Sequence, residues 1–246
     1  MTRRAFRLDA DARTHVGRRR RRNEDAYLLT ADLVAVADGL GGHPGGDVAS
    51  AAAVAALHAA GAVADPESLR HAFAEAHRAV HQRAAEDPGL TDMSTTLCAL
   101  ALDPAGRVVL ANVGDSRIYR FSSDRLEQVS WDHNWANEYR RMGMDSSLAR
   151  RMGGAASLSR VVGAFREPCE VDTWTFDAVA GDRYLLASDG LTGELPDPLI
   201  ADVLSAVPAP GSAASELVEA ANERGGNDNI TVIVADVAER VPRRRV

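Results

Sequence analysis

Residues 95–121 read TTLCALALDPAGRVVLANVGDSRIYRF. Three apolar runs stand in this stretch, Thr95–Leu102, Val108–Val113 and Arg117–Phe121, and only short polar breaks divide them. Asp103-Pro-Ala-Gly106 is a tight-turn sequence, because Pro presets one turn dihedral and Gly supplies another. Runs this short, joined by connections this tight, predict antiparallel strands; a parallel pair would need a long crossover.

The pattern repeats on both sides. Strands are predicted over Phe6–Ala10, Ala26–Leu29, Leu33–Ala37, Val171–Phe176, Arg183–Ala187 and Ile230–Val237. Helices are predicted over Gly46–His58, Pro66–Ala85, Asp197–Ala206 and Ser212–Arg224. Asp65-Pro66 supplies an N-cap and a first-turn proline for the second of these. Helices grouped in two pairs belong on the outer faces of a sheet sandwich, not in alternating βαβ units. Residues 132–164 fit least well and read as a long, partly helical surface excursion.

The chain has 246 residues, 46% hydrophobic and 26% charged, an ordinary folded composition. One domain is expected, with a core of about residues 6–237, the excursion at 132–164 and an Arg-rich tail at 240–246. The net charge of −7 argues against a nucleic-acid binder. Every basic residue is arginine, which removes lysine as a catalytic group. Two cysteines, Cys98 and Cys169, make no disulfide framework; Cys98 lies in an apolar run and reads as a packing residue. Met1–Ala12 has no apolar signal region, and no segment reads as a membrane span, so a cytoplasmic protein is expected.

Five aspartates stand at strand ends or beside glycine: Asp25, Asp38, Asp115, Asp189 and Asp228. A single Asp-Gly most often marks a turn. Carboxylates converging from several strands would repel one another unless a cation neutralised them, and oxygen-only ligands suit Mg²⁺ or Mn²⁺ over Zn²⁺.

The motifs occur in a familiar order. They are Asn23-Glu24-Asp25, Val36-Ala-Asp-Gly-Leu-Gly-Gly-His43, Asn112-Val-Gly-Asp-Ser-Arg117, Leu186-Ala-Ser-Asp-Gly-Leu191 and Gly226-Asn-Asp-Asn-Ile-Thr-Val232. The chain resembles the metal-dependent serine/threonine phosphatases of the PP2C (PPM) type in their compact bacterial form, over nearly its whole length. That resemblance implies an α+β fold: a four-layer α-β-β-α sandwich of two antiparallel sheets flanked by helix pairs. It implies hydrolysis of phosphoserine and phosphothreonine without a phosphoenzyme, by in-line attack of a metal-activated water. Two Mn²⁺ or Mg²⁺ ions would be bridged by Asp38. Asp189, Asp228 and the Gly39 carbonyl would complete the ligands, and Asp25 would hold bound water with Glu24 beside it. Asn229 would support the shell, and Asp115 with Asp189 would take a third, weaker ion. The family pattern assigns phosphate binding to Arg20, within the run Arg18–Arg22, whose other members read as a solvated loop. Phosphorylated proteins, a Ser/Thr kinase or its substrates, would be the partners of a monomer, with no nucleic acid and no membrane.

The sequence departs from the family in places. Thr14-His15 replaces a Ser/Thr-Asp pair, Ser94 replaces a glycine, and Gly193-Glu194 stands where a further Asp is frequent. Leu40 occupies the position of the proposed general acid of animal members, and His43 is not its substitute. Residues 41–46 look like a phosphate cradle but lack the P-loop ending, and read as a turn into the first helix. His77 and His81 share a helix, with no third ligand in view, and read as a solvated face. A catalytically silent phosphatase-like binding module is the second reading; the complete carboxylate set argues against it.

Overall fold

A computed structural model describes residues 6–40, 45–61, 65–152, 154, 157–164, 166–168 and 170–240. The sequence features at residues 41–44, among them His43, at Cys169 and at residues 241–246 lie outside this description. The elements in chain order are β1 (Phe6–His15), β2 (Asp25–Leu29), β3 (Leu33–Asp38), α1 (Gly46–Ala59) and α2 (Pro66–Glu86). After a 3₁₀ turn at Pro88–Leu90 come β4 (Leu97–Leu102), β5 (Arg107–Val113), β6 (Arg117–Ser122), β7 (Arg125–Gln128), α3 (Trp135–Arg141) and α4 (Ser146–Arg151). The chain continues with β8 (Asp172–Asp177), β9 (Arg183–Ala187), α5 (Asp189–Thr192), α6 (Asp197–Ala206), α7 (Pro210–Arg224) and β10 (Ile230–Glu239).

Two five-stranded antiparallel sheets result, in the orders β1-β10-β9-β6-β7 and β2-β3-β4-β5-β8. Side-chain parity decides the layers. On β4, Cys98, Leu100 and Leu102 enter the core between the sheets, together with Val34, Val36, Val108 and Leu110. The alternate residues Ala99 and Ala101 face α1 and α2, where Ala49, Ala53, Phe73 and Ala76 meet them. Small side chains on both surfaces let α1 approach its sheet closely. A third cluster packs α6 and α7, through Ile200, Leu204, Leu217 and Ala221, on Leu185, Val232 and Val234. The order is helix pair, sheet, sheet, helix pair, the four-layer sandwich expected. Cys98 is buried in it, and its thiol is pushed up to about 12 by burial.

The expected cap of α2 is present: the Asp65 carboxylate accepts from Ser68 N at 2.8 Å, and Ser68 Oγ accepts from Asp65 N at 3.0 Å. Three expectations need correction. β1 runs five residues beyond Ala10, because its partner β10 continues opposite it while its own residues alternate charged and small. β7 was not expected; three of its four residues are polar, and it exists as the hairpin return of β6. His77 is not on a solvated face: it is buried, and its Nδ1 accepts from Gly163 N at 3.2 Å. His81, one turn along, is exposed.

Candidate active site

β2 and β3 pair so that Asp25 lies directly across from Asp38. The backbone at Asp38 is fixed on every side. Its N–H donates to Thr96 Oγ1 at 3.0 Å, and its carbonyl accepts from Thr95 Oγ1 at 2.8 Å and from Thr96 N at 2.9 Å. Thr96 Oγ1 also meets Ser116 Oγ at 2.7 Å. A buried hydroxyl chain therefore joins Asp38 to the turn that carries Asp115. From behind, His133 closes that turn: His133 Nδ1 accepts from Gly114 N at 3.1 Å, and His133 N donates to Gly114 O at 3.0 Å.

The other sheet supplies Asp189 and Asp228. Asp189 opens α5, so Asp189-Gly190 begins a helix and is not the turn that an isolated Asp-Gly suggests. The glycines after Asp38 and Asp189 serve close approach. A Cβ on Gly39 would lie 2.2 Å from Gly46 O, and one on Gly190 would lie 2.0 Å from Asn229 O. Ser188 ties the two sheets together: its hydroxyl donates to Asp25 Oδ2 at 2.9 Å and accepts from Thr231 N at 2.9 Å.

Arg20 Nη2 donates to Asp228 Oδ2 at 2.6 Å. The other four arginines of the run are exposed, as expected of a solvated loop. Asn229 holds this loop in place. Its amide donates to Val16 O at 2.9 Å and Arg22 O at 2.8 Å, and its Oδ1 accepts from Glu24 N at 2.8 Å.

The electrostatics follow from this crowding. Asp38 is pushed well above the usual carboxylate range by burial, then by Asp25, Asp189, Asp115 and Asp228. Burial raises Asp25 to about 6, against hydrogen bonds that lower it. Burial, then Asp189, raises Asp115 to about 7. Asp189 is raised by burial and then by Asp228, and Glu24 is raised chiefly by burial. Asp25 Oδ1 is buried without a hydrogen-bond partner among the described residues. An orphaned carboxylate oxygen among mutually repelling carboxylates fits a hard divalent cation. Among the described residues, no three His, Cys, Asp or Glu side chains are already set as ligands of one ion. Asp228 is turned to Arg20 and Asp25 to Ser188.

All nine residues singled out in the sequence, Arg20, Glu24, Asp25, Asp38, Gly39, Asp115, Asp189, Asp228 and Asn229, come to this one end of the sandwich. Thr95, Thr96, Ser116, Ser188, Thr231 and His133 were not singled out. Ser188 and Ser116 each adjoin a motif aspartate, the one signal that could have marked them.

A family profile for Protein phosphatase 2C matches residues 14–223. The Serine/threonine phosphatase stp of Listeria welshimeri is 35% identical over 243 residues, covering 93% of this chain and 96% of that protein. The crystal structure of the Mycobacterium tuberculosis serine/threonine phosphatase PstP/Ppp is similar with a TM-score of 0.85 at 32% identity, over 94% of this chain and 99% of that one. The catalytic domain of PstP in complex with two manganese ions gives a TM-score of 0.83 at 34% identity, over 95% of this chain and 100% of that one.

Proposed function

The chain belongs to the protein phosphatase 2C family and is a metal-dependent protein serine/threonine phosphatase, and from that premise we propose which of its residues carry the reaction. Asp38, Asp189, Asp228 and the Gly39 carbonyl would hold the divalent ions, Mn²⁺ or Mg²⁺, with Asp38 at the centre of the carboxylate set. Asp25 and Glu24 would orient water at that centre, and Asp115 with Asp189 would offer a weaker further cation place. When bound, such ions supply a nucleophilic water at neutral pH and neutralise charge on the phosphoryl oxygens.

The remaining work falls to the chain. Arg20 lies at the rim, 40% exposed at its side chain and beside Asp228, where its planar guanidinium can take the phosphate of an incoming phosphoserine or phosphothreonine. Asn229 fixes the loop on which Arg20 stands, and Ser188 fixes Asp25. Leu40, following Gly39, offers no proton, so the leaving alkoxide takes its proton from a water, held at the site or from solvent.

One observation carries this reading: five aspartates from two different sheets meet at one end of the sandwich, the buried ones raised first by burial and then by their neighbours. The catalytic unit is the whole sandwich, about residues 6–237, with residues 132–164 as a flap beside the site. Its substrates are phosphorylated proteins; a Ser/Thr kinase or that kinase's targets, met in the cytoplasm by a monomeric enzyme, complete the proposal. Among the described residues no helix is long and apolar enough to cross a membrane.

The test is hydrolysis of p-nitrophenyl phosphate and of a phosphothreonine peptide with Mn²⁺, with Mg²⁺ and with EDTA, for the wild type and Asp38→Ala. Turnover that needs metal and is abolished by the substitution is expected. Absence of turnover by folded protein with either metal would sink the assignment.

A further inference from the structure

Beside the flap, two clefts share a wall. One, of about 720 Å³, is lined by Phe73, Val113, Trp131, Arg141 and Trp174 among others. The other, of about 580 Å³, is lined by Arg117, Trp131, Arg140, Trp174 and Phe176 among others. Trp131 and Trp174 belong to both, so the two meet and form one groove. Its floor is β8, the last strand of its sheet, paired on one side only, with β5. An outer strand edge of this kind offers backbone N–H and C=O groups to an extended chain.

The charges of the groove are not balanced by its own pairs alone. Asp132 is held by Arg117, through Oδ1 at 2.9 Å and Oδ2 at 2.7 Å. Asp172 is held by Arg160 at 2.9 Å and by His133 at 3.3 Å. Arg140 and Arg141, adjacent at the end of α3, have no ion pair among the described residues, and one faces each cleft. Glu127 lines the same cleft as Arg140 and has no ion pair among the described residues; Glu170 lines the same cleft as Arg141 and lies 3.6 Å from Arg160. The wall is therefore aromatic, with two guanidinium groups and one carboxylate, Glu127, outside any ion pair among the described residues, on a chain whose net charge is −7. Trp131 is 56% exposed, a large apolar surface left to water.

The groove borders the turn that carries Asp115. Val113 and Arg117, which line the two clefts, flank the turn that carries Asp115. His133, which braces that turn, follows Trp131 and Asp132. A segment lying in the groove would thus be attached to a residue within reach of the carboxylates.

We propose that this groove is a docking surface for the segment flanking the phosphorylated residue of the substrate. The segment lies extended along the outer edge of β8, its acidic side chains against Arg140 and Arg141 and an apolar side chain against Trp131 and Trp174. This rests on the phosphatase reading above and adds a preference for acidic, aromatic-containing substrates.

The chain's three tryptophans are Trp131, Trp135 and Trp174. Two line the groove and the third stands on α3, so intrinsic emission reports occupancy without turnover. The experiment titrates the full chain, in EDTA, with a long phosphothreonine peptide bearing an acidic and aromatic flank, with its short core, and with a long peptide whose flank is basic. Turnover of the same peptides and of p-nitrophenyl phosphate is measured with Mn²⁺. The long acidic peptide should change the emission and bind about tenfold tighter than the core, a difference of about 1.4 kcal/mol. Arg140→Glu with Arg141→Glu, and separately Trp131→Ala, should remove that advantage while leaving p-nitrophenyl phosphate hydrolysis unchanged. Equal binding of long and short peptides, an advantage that survives both sets of substitutions, or an advantage equally given by the basic flank would overturn the proposal. So would a dimer in sedimentation whose emission ignores the peptides, since a second copy would then hold the β8 edge. Tight, flank-dependent binding in a protein that hydrolyses nothing would support the groove and refute the catalytic assignment, so the two failures are distinguishable.

Discussion

Ser188 shows how a side chain outside the reaction can set the site. Its hydroxyl is the hydrogen-bond donor to Asp25 Oδ2 and the acceptor for Thr231 N. Ser188→Ala leaves Thr231 N unpaired and frees Asp25 to turn. Loss of a ligand's supporting hydrogen bond typically weakens metal affinity about 10–100-fold, and an unsatisfied buried group costs about 1–3 kcal/mol. Both effects are expected, measured by Mn²⁺ titration calorimetry and by urea unfolding. Arg20→Ala should behave oppositely toward metal. Its pair with Asp228 is partly exposed, so stability should fall by less than about 1 kcal/mol. Removing a cation that holds Asp228 should leave Mn²⁺ affinity equal or stronger, while KM for a phosphopeptide rises about tenfold or more; weaker Mn²⁺ binding by the variant would contradict this. The aspartates and Arg20 were legible because each stands in a motif of definite order. The hydroxyls of Thr96, Ser116 and Ser188 were not, since a serine or threonine flanking a strand has no pattern until its partner from another segment is known. His77 misled for a related reason: its helix turns it toward Gly163, a residue that no helical periodicity could bring near.

At the level of elements, the sandwich was readable where a strand has two apolar faces or a helix one stripe. β4 and β5 are apolar along almost their whole length, and α2 carries its own cap. The second half of β1 and all of β7 were not, because they are held by the backbone of a neighbour and not by their own side chains. Two glycines separate two physical demands on a connecting segment. Gly190 sits where α5 and the Asn229 backbone nearly touch, so Gly190→Ala places a methyl 2.0 Å from a carbonyl oxygen. A loss of about 1–3 kcal/mol or more is expected, with weakened metal binding, because Asp189 and Asn229 must part. Gly181 has φ +95 with no atom within 4 Å of the added methyl. Gly181→Ala should cost about 1–2 kcal/mol, from backbone strain alone, and leave metal binding untouched. Equal metal affinity in both variants would show that close approach at α5 does not shape the site.

For the whole molecule, the carboxylates make stability depend on pH and metal together. Burial raises Asp25 to about 6 and Asp115 to about 7, from an ordinary value of 3.8. Between about pH 4 and 7 the folded protein in EDTA thus keeps protons that the unfolded chain has released. Its stability must fall as pH rises through that window and level off above it. Mn²⁺ displaces those protons, so the loaded protein should lose this slope, and its metal affinity should weaken as pH drops below about 7. At a concentration near 100 times Kd the ion should add about 2.7 kcal/mol, or roughly 5–10 °C in Tm, by calorimetry. Asp38→Asn should abolish that gain. The site thus acts on both sheets at once, and one of them closes in an unusual order. β1 pairs with β10 along its full length, Phe6 opposite Glu239 and His15 opposite Ile230. A ribosome makes β1 well before β10, at about 5–20 residues per second. Until β10 is made, β1 lacks the strand it pairs with, and Asp228 and Asn229, just ahead of β10, are missing from the site. A growing chain therefore holds four of the five aspartates before it can close the sheet that brings in the fifth.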